Sequence, residues 1–325
     1  MSRRHIWTIL SVLLLLLAFL PRGSTETALH AWSQIARAEQ ESPLDWATFS
    51  KEGKVPLSLR IKIDPDVLKQ FYQGGVKAEA ASLDEGEPIT FLVILREKAD
   101  LRAAARIENK TERKQAVYTA LRETAERSQQ GVLAVLQAEE AAGHVVQHKT
   151  YFIVNALAVT GDLHALLTLA ARPEVERIQA NRMHSLPPAP KVEPAESDED
   201  DPRWNITKVR ADFVWGSFGV TGEGIIVANM DTGVDFQHPA LRHKYRGYRP
   251  GGAEHNYNWF DVTGTYPIVP GDGHGHGTHT MGTIVGSEPD GSHAIGVAPG
   301  ATWIAVKIFT DEGETTDAAI LEGFQ

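Results

Sequence analysis

The sequence of 325 residues predicts two domains of different classes, an α+β domain followed by an α/β domain with a parallel sheet. Three observations predict this division. Residues 56–185 show strand and helix patterns in the order β-α-β-β-α-β, whereas strands and helices alternate in residues 204–325. Between them, residues 186–203 combine prolines with a run of acidic side chains, which is typical of an exposed linker.

Residues 1–31 have the layout of a secretory signal peptide, with the cleavage point left open. Arg3 and Arg4 come before an almost wholly apolar run from Ile6 to Leu20. This run is shorter than the roughly 20 residues that a membrane-spanning helix needs. We therefore predict a cleaved leader, a secreted product and only a transient membrane contact through the leader.

The α+β domain, residues 56–185, begins its regular pattern at the β-rich apolar run Ile89–Leu95. A helical pattern follows over residues 110–142, with Asn109 as its predicted N-cap and Gly143 as its stop. The remaining predicted elements are strands near Val145–His148, Tyr151–Thr160 and Val175–Ala180, and a helix that Asp162 caps and that runs through Ala171. This order is that of the ferredoxin-like arrangement, which by itself implies no function.

The α/β domain alternates strands and helices, and this alternation predicts a parallel sheet. Its predicted elements are a buried strand Ile225–Met230 that ends at Asp231, a helix from about His276, a strand Trp303–Phe309, and a helix that Thr316 or Asp317 caps and that is still running at Gln325. Parallel sheets place functional sites at the carboxyl ends of their strands, which is where Asp231 lies.

Asp231 and His276 are the candidate catalytic residues. Glycines around the histidine let the backbone turn tightly and bring its imidazole to the surface. A carboxylate that accepts a hydrogen bond from one ring nitrogen fixes the tautomer, and the other nitrogen can then take a proton from a hydroxyl group. This pair supplies the general-base half of a nucleophilic hydrolase.

Residues 225–235 and 273–286 resemble the aspartate and histidine motifs of subtilisin-like serine proteases, the peptidase S8 family, whose chain order is Asp, His, Ser. Asn258–Asp261 is similar to the bacillopeptidase F-like branch. The α+β unit resembles the inhibitor I9-type propeptide of such enzymes. The resemblance implies an α+β ferredoxin-like propeptide domain followed by the N-terminal part of an α/β subtilisin-like domain with a parallel sheet.

By this resemblance Asp231 matches the triad aspartate and His276 matches the general base, while His279 matches a histidine that does no chemistry. The Gly-Thr-Ser-Met-Ala serine motif of the family has no counterpart here, nor has the oxyanion-hole asparagine. We therefore expect an N-terminal piece of a secreted serine endopeptidase that acts on proteins or peptides, inactive alone. Its propeptide is expected to bind intramolecularly, with the tail Arg182–Leu186 blocking the cleft.

Two other functions stay open. A truncated product could act as a protease inhibitor or folding chaperone through the propeptide, which needs no nucleophile. Alternatively, His274, His276 and His279 form a His-x-His-x-x-His pattern similar to that of zinc hydrolases. Thr278 stands where those enzymes have an aspartate, and the zinc interpretation leaves Asp231 without a role.

Composition excludes several classes of function. The net charge of −10 argues against a nucleic-acid partner, because phosphate binding needs clustered Lys and Arg. The sequence has no cysteine, which excludes a disulfide framework, a cysteine nucleophile and a thiolate metal site. No cofactor and no metal ligand is predicted, and the acidic run at 196–201 lacks the ligand spacing of a calcium loop.

Overall fold

The structure, a computed structural model, describes residues 55, 57–73, 87–187 and 204–325. The chain divides into two compact units between Asn181 and Arg182. The predicted leader, residues 1–31, and the linker from residue 188 onward lie outside the described residues. Within the described ranges, every helix is too short or too polar to cross a membrane.

The first unit is built on a four-stranded antiparallel sheet. Its strands are β1 (Ile89–Leu95), β2 (Val145–Tyr151), β3 (Ala156–Gly161) and β4 (Val175–Ala180). They lie in the order β2-β3-β1-β4, and every neighbouring pair is antiparallel. Phe91 of β1 lies opposite Val159 on one side and Ala180 on the other, and all three side chains are buried. The sheet is thus anchored on its apolar central strand.

Helices complete this unit. They are α1 (Leu57–Arg60), α2 (Pro65–Gln73), α3 (Lys110–Ala142) and α4 (Leu163–Ala171), with a 3₁₀ turn at Ala104–Arg106. The bounds of α3 are those that the sequence predicts. The Asn109 side chain accepts hydrogen bonds from the first-turn backbone, and Gly143 ends the helix with φ 87°. Asp162 caps α4 by accepting a hydrogen bond from the Ala165 backbone N–H.

The predicted bounds of β2 and β3 are wrong. β2 continues to Tyr151, and β3 begins only at Ala156. The turn between them contains Asn155 at φ 49°, a left-handed conformation that asparagine tolerates better than most residues. Its Nδ2 donates hydrogen bonds to the Glu97 carbonyl at 2.8 Å and the Ser128 hydroxyl at 2.9 Å. These distant partners place the turn, which no local pattern predicts.

The second unit contains a three-stranded parallel sheet. Its strands are β6 (Ile226–Asp231), β9 (Trp259–Asp261) and β10 (Thr302–Lys307), in the order β6-β10-β9. The other elements are β5 (Met183–Ser185), α5 (Trp204–Val209), α6 (Ala211–Phe218), α7 (Pro239–Arg242), β7 (Tyr248–Arg249), β8 (Gly252–Ala253), α8 (His276–Val285), β11 (Glu314–Thr316) and α9 (Asp317–Phe324). The parallel pairing agrees with the prediction from the sequence.

Two details of the predicted strands are wrong. Ile225–Met230 was expected to be a buried strand, but Ile225 and Ile226 are 56% and 49% exposed. β6 is an edge strand, and within the described residues only part of its surface is covered. The strand predicted over Trp303–Phe309 ends at Lys307, because the next two backbone N–H groups donate to the Asp231 carbonyl instead of continuing the ladder.

The short strand β5 pairs with β11 in antiparallel register, His184 opposite Thr315. The Leu186 backbone N–H extends this ladder by donating to the Gly313 carbonyl at 2.8 Å. Residues 182–187 belong to the second unit, although the sequence assigned residues up to 185 to the first domain.

The two causes that hold the Asn155 turn can be separated by mutation. N155G keeps access to a positive φ and loses the side-chain hydrogen bonds, whereas N155A loses both. We expect N155A to lower the free energy of unfolding by about 1 kcal/mol more than N155G does, which is the strain of a left-handed residue with a Cβ. Urea unfolding followed by far-UV circular dichroism measures this difference. Equal losses in the two variants would show that backbone strain plays no part.

Candidate active site

The candidate site lies where β6 ends and α8 begins. The Nδ1 atom of His276 lies 2.7 Å from Oδ1 of Asp231. The aspartate is buried, while 38% of the histidine side chain is exposed. A carboxylate at Nδ1 holds the proton on that nitrogen and leaves Nε2 as the proton acceptor. The pair can therefore orient an imidazole as a general base at the surface.

Further hydrogen bonds hold the Asp231 carboxylate. The Thr232 backbone N–H donates to Oδ1 at 2.7 Å, and the Thr280 hydroxyl donates to Oδ2 at 3.0 Å. The Asp231 carbonyl also accepts from the backbone N–H groups of Ile308 and Phe309, which follow β10. Side chain and backbone are thus fixed independently, so the carboxylate cannot turn away from the imidazole without breaking several bonds.

Two glycines bring the strand end and the helix start together. Gly275 precedes α8 at φ 89°, a conformation that strongly favours glycine. A Cβ on Gly277 would collide with the backbone carbonyl of Gly233. The Gly277 backbone N–H donates to the Thr232 hydroxyl at 2.8 Å. The glycines of the histidine motif therefore allow a backbone contact that any side chain would prevent.

Asp272 joins the two motifs, and the sequence analysis did not single it out. Its carboxylate accepts from the hydroxyl of Thr232 at 2.8 Å, from the backbone N–H of Gly275 at 2.8 Å, and from the backbone and hydroxyl of Thr278 at 2.8 and 2.6 Å. Burial alone raises the pKa of this carboxyl, but the hydrogen bonds from Thr278, Gly275 and Thr232 outweigh burial and lower the pKa below its ordinary value. An aspartate between two glycines, just before His276, was the available signal.

An ion pair between a buried lysine and a partly exposed aspartate supports the strand end. Lys307 is fully buried, and its Nζ donates to the Thr232 carbonyl at 2.6 Å and to Asp311 Oδ1 at 2.7 Å. The Tyr266 hydroxyl donates to the second Asp311 oxygen at 2.9 Å. Burial raises the pKa of Asp311, but the bonds from Lys307 and Tyr266 outweigh it and lower the pKa. This group holds Thr232 in place.

The three histidines of the His-x-His-x-x-His pattern do not form a metal cluster in this structure. The ring centroids of His274 and His276 are 6.2 Å apart with nearly perpendicular planes. Within the described residues, a single group of three side chains lies close enough to hold one metal ion, and it is in the first unit. The geometry therefore gives the zinc-hydrolase alternative no support.

Residues 222–325 match the subtilase family, Peptidase_S8. Bacillopeptidase F of Bacillus subtilis is 38% identical over 263 residues, which cover 74% of this chain and 18% of that protein. Subtilisin-like protease 3 of Arthroderma otae is 32% identical over 128 residues, which cover 38% of this chain and 27% of that protein. These matches support the subtilisin-like protease family. Asp231 and His276 both lie inside the part that matches the subtilase family.

The chain spans only 18% and 27% of the lengths of these two subtilisin-like relatives. The solved structure of the Clostridium perfringens CspB protease is 23% identical in sequence over the matched part. This part covers 35% of this chain and 28% of the CspB chain. Its TM-score of 0.26 is too low to carry any argument about the fold.

Removing either partner of the Lys307–Asp311 ion pair should destabilise the chain, but by different amounts. D311N leaves the enclosed ammonium group of Lys307 without its carboxylate, and we expect a loss of about 3 kcal/mol in the free energy of unfolding. K307M removes the enclosed charge and leaves Asp311, whose side chain is 30% exposed, with Tyr266 and water as partners. We expect this change to cost about 1–2 kcal/mol. Urea unfolding followed by tryptophan fluorescence compares them, and a larger loss in K307M would contradict this account.

Proposed function

We propose that this chain is the leader, propeptide and N-terminal catalytic part of a secreted subtilisin-like serine endopeptidase. The observation that carries the proposal is the 2.7 Å hydrogen bond between Asp231 and His276 at the carboxyl end of a parallel strand. In the complete reaction His276 takes the proton of a serine hydroxyl, and Asp231 stabilises the imidazolium that forms. The serine then attacks a peptide carbonyl.

The residues assigned here supply only part of this mechanism. Asp231 and His276 orient and move a proton, whereas no serine nucleophile and no oxyanion-hole asparagine are assigned within the 325 residues. Acyl transfer needs both, because the nucleophile forms the covalent intermediate and the oxyanion hole stabilises the developing charge. We therefore infer that these 325 residues alone do not cleave peptides.

The first unit supports the propeptide part of the proposal. Its antiparallel strand order β2-β3-β1-β4 is the order of a ferredoxin-like arrangement. A unit with this arrangement resembles the inhibitor I9-type propeptide. The similarity to bacillopeptidase F covers 263 residues, more than residues 222–325 can hold, so it extends into the chain before the subtilase match. We assign residues 56–185 to the propeptide on this basis, and residues 1–31 to a signal peptide on the basis of the basic residues and apolar run in its sequence.

The segment Arg182–Leu186 supports autoinhibition by the propeptide tail. It adds β5 to the edge of β11, which is how many peptide-binding proteins hold an extended peptide. Asp317 fixes its start, since its carboxylate accepts from the Arg182 backbone N–H at 3.1 Å and lies 2.7 Å from His184 Nε2. At its end, Gly313 lies beside both Leu186 and His274. The tail thus runs close to the histidine motif.

Inhibition or folding assistance by the propeptide alone is the second candidate function. The described part of the first unit has an apolar core of its own, which includes Phe91, Val132 and Leu157. A unit with its own core can bind a protease without any nucleophile. This function is compatible with the proposed one, because a propeptide that inhibits in cis can also inhibit in trans.

The catalytic proposal is tested in a chimera that joins residues 1–325 to the downstream catalytic segment of bacillopeptidase F from Bacillus subtilis. We expect hydrolysis of casein that serine-directed inhibitors abolish. H276A and D231N should each lower kcat by about 10⁴-fold or more, because the general base or its orientation is lost. H293N, which changes an exposed histidine outside the site, should retain the activity.

The 325-residue chain without the downstream segment is the control for this experiment. It should neither cleave casein nor react with a fluorophosphonate, which labels only an activated serine. Labelling of the chain alone, or a chimera whose activity survives H276A, would falsify the assignment.

If Asp317 anchors the segment Arg182–Leu186, removing its carboxylate should speed up hydrogen exchange in that segment. D317A removes the carboxylate that accepts from the Arg182 backbone and contacts His184, so β5 should open more often. We expect the backbone amide of Leu186 to exchange about tenfold faster, which corresponds to about 1.4 kcal/mol. Hydrogen–deuterium exchange with mass spectrometry of residues 182–187 measures this. E314Q, on the strand that pairs with β5, is the matched control and should leave the exchange unchanged; a D317A variant that exchanges like it would refute the proposed anchor.

A further inference from the structure

We propose that Glu139, His144 and His164 form a binding site for Zn²⁺ in the first unit. Each of the three side chains offers one ligand atom, and these atoms lie within 4.8 Å of one another. Two imidazoles and one carboxylate are a donor set that suits zinc, with water as the fourth ligand. This site is independent of the catalytic proposal, since it uses none of the residues around Asp231.

The backbone brings the three residues together from separate elements. Glu139 lies in the last turn of α3, His144 follows the left-handed Gly143, and His164 is in the first turn of α4. The His144 backbone N–H donates to the Glu139 carbonyl at 2.9 Å, and its carbonyl accepts from the Asp162 N–H at 3.0 Å. The fold therefore holds the backbones of these residues close together before any ion binds.

The distance between Glu139 and His164 fits two ligands of one ion better than it fits a hydrogen bond. Nε2 of His164 lies 3.5 Å from Oε2 of Glu139. Two ligands of a tetrahedral zinc ion with bonds of about 2.0–2.1 Å are separated by about 3.3–3.4 Å. A strong charge-assisted hydrogen bond is shorter, at about 2.7–2.9 Å.

The Glu139 oxygen that faces the cluster has no hydrogen-bond donor. Oε2 is enclosed, and within the described residues it accepts no hydrogen bond. Leaving such an acceptor unsatisfied costs about 1–3 kcal/mol, and more when it is charged. A cation bound to Oε2 would satisfy the atom.

Asp162 prepares His144 as a ligand. Its Oδ2 lies 2.7 Å from Nδ1 of His144, and its Oδ1 is held by the Ala165 backbone N–H at 2.9 Å. A carboxylate that accepts a hydrogen bond from Nδ1–H leaves Nε2 with its lone pair, the arrangement usual for histidines bound to zinc. His144 is thereby oriented from outside the proposed coordination sphere.

The two imidazole rings must separate when the ion binds. They are stacked, with centroids 4.0 Å apart and planes inclined by 16°. The lone pair of a ring nitrogen lies in the plane of its ring, so two stacked rings cannot both point at one ion, and binding requires the rings to rotate out of the stack. The ligand atoms, which now lie up to 4.8 Å from one another, would at the same time approach to about 3.4 Å. The His144 and His164 side chains are 20% and 23% exposed, which leaves space for this rotation and a path for the ion.

A second histidine–carboxylate pair nearby serves as a comparison. His148 Nδ1 lies 2.6 Å from Glu140 Oε1, a normal hydrogen-bond distance. Within the described residues, this pair is not part of a group of three candidate ligands. Glu140 lies beside Glu139 in α3, so the pair shares this helix with the proposed site, which makes H148Q a matched control.

The test is calorimetric titration of the full metal-free chain with ZnSO₄. We expect one tight equivalent that E139Q and H164Q lose, with affinity at least 100-fold weaker. D162N keeps the helix cap but removes the carboxylate, and should bind about 10–100-fold more weakly. H148Q and H274Q should bind like the unchanged chain, and MgCl₂ should give no tight binding. Zinc should also raise the thermal midpoint of the unchanged chain and leave that of E139Q in place.

Three results would overturn the site: no tight equivalent in the unchanged chain, unchanged affinity in E139Q and H164Q, or loss of the equivalent in H274Q. The last result would instead place zinc at the histidine motif of the second unit. Far-UV circular dichroism of each variant without metal shows whether it is folded. If H164Q is unfolded, the E139Q and D162N affinities decide the question.

Discussion

The hydrogen bond between Asp231 and His276 depends on a second carboxylate, that of Asp272. The strand that ends at Asp231 and the helix that begins at His276 are far apart in the sequence, and Asp272 accepts hydrogen bonds from both sides of the junction through Thr232 and Thr278. The Nζ atom of Lys307 donates a hydrogen bond to the backbone carbonyl of Thr232. The imidazole is thus oriented by a connected network of hydrogen bonds, and a network of this kind favours a single geometry.

Local signals in the sequence were enough to predict much of this molecule. Asn109 and Gly143 marked both ends of the long helix, and a continuous β-rich apolar run located the strand β1 inside the first sheet. Asp231 and His276 were found because glycine-rich turns next to a strand and a helix are typical of exposed catalytic groups. In each case the signal itself lies within a few residues of the position that it marks.

What the sequence could not predict depends on partners that are distant along the chain. The turn before β3 is held through Asn155 by Glu97 and Ser128, which lie 58 and 27 positions away. The exposure of Ile226 depends on what packs against β6, which no periodicity reveals. The Glu139 cluster was missed for the same reason, since its histidines stand on either side of two strands.

Because β5 is short, other peptides can compete with it for the edge of β11. Three paired residues, extended by the bond from Leu186, hold it to β11 mostly through backbone groups that every extended peptide carries. A free peptide can therefore bind to the same edge. Covalent attachment favours binding of β5 over binding of a free peptide, because a short tether gives an effective concentration of about millimolar. Cutting the chain beyond Leu186 would lower that concentration to the bulk value without changing a single contact. Occupancy of this edge would then follow the amount of free peptide.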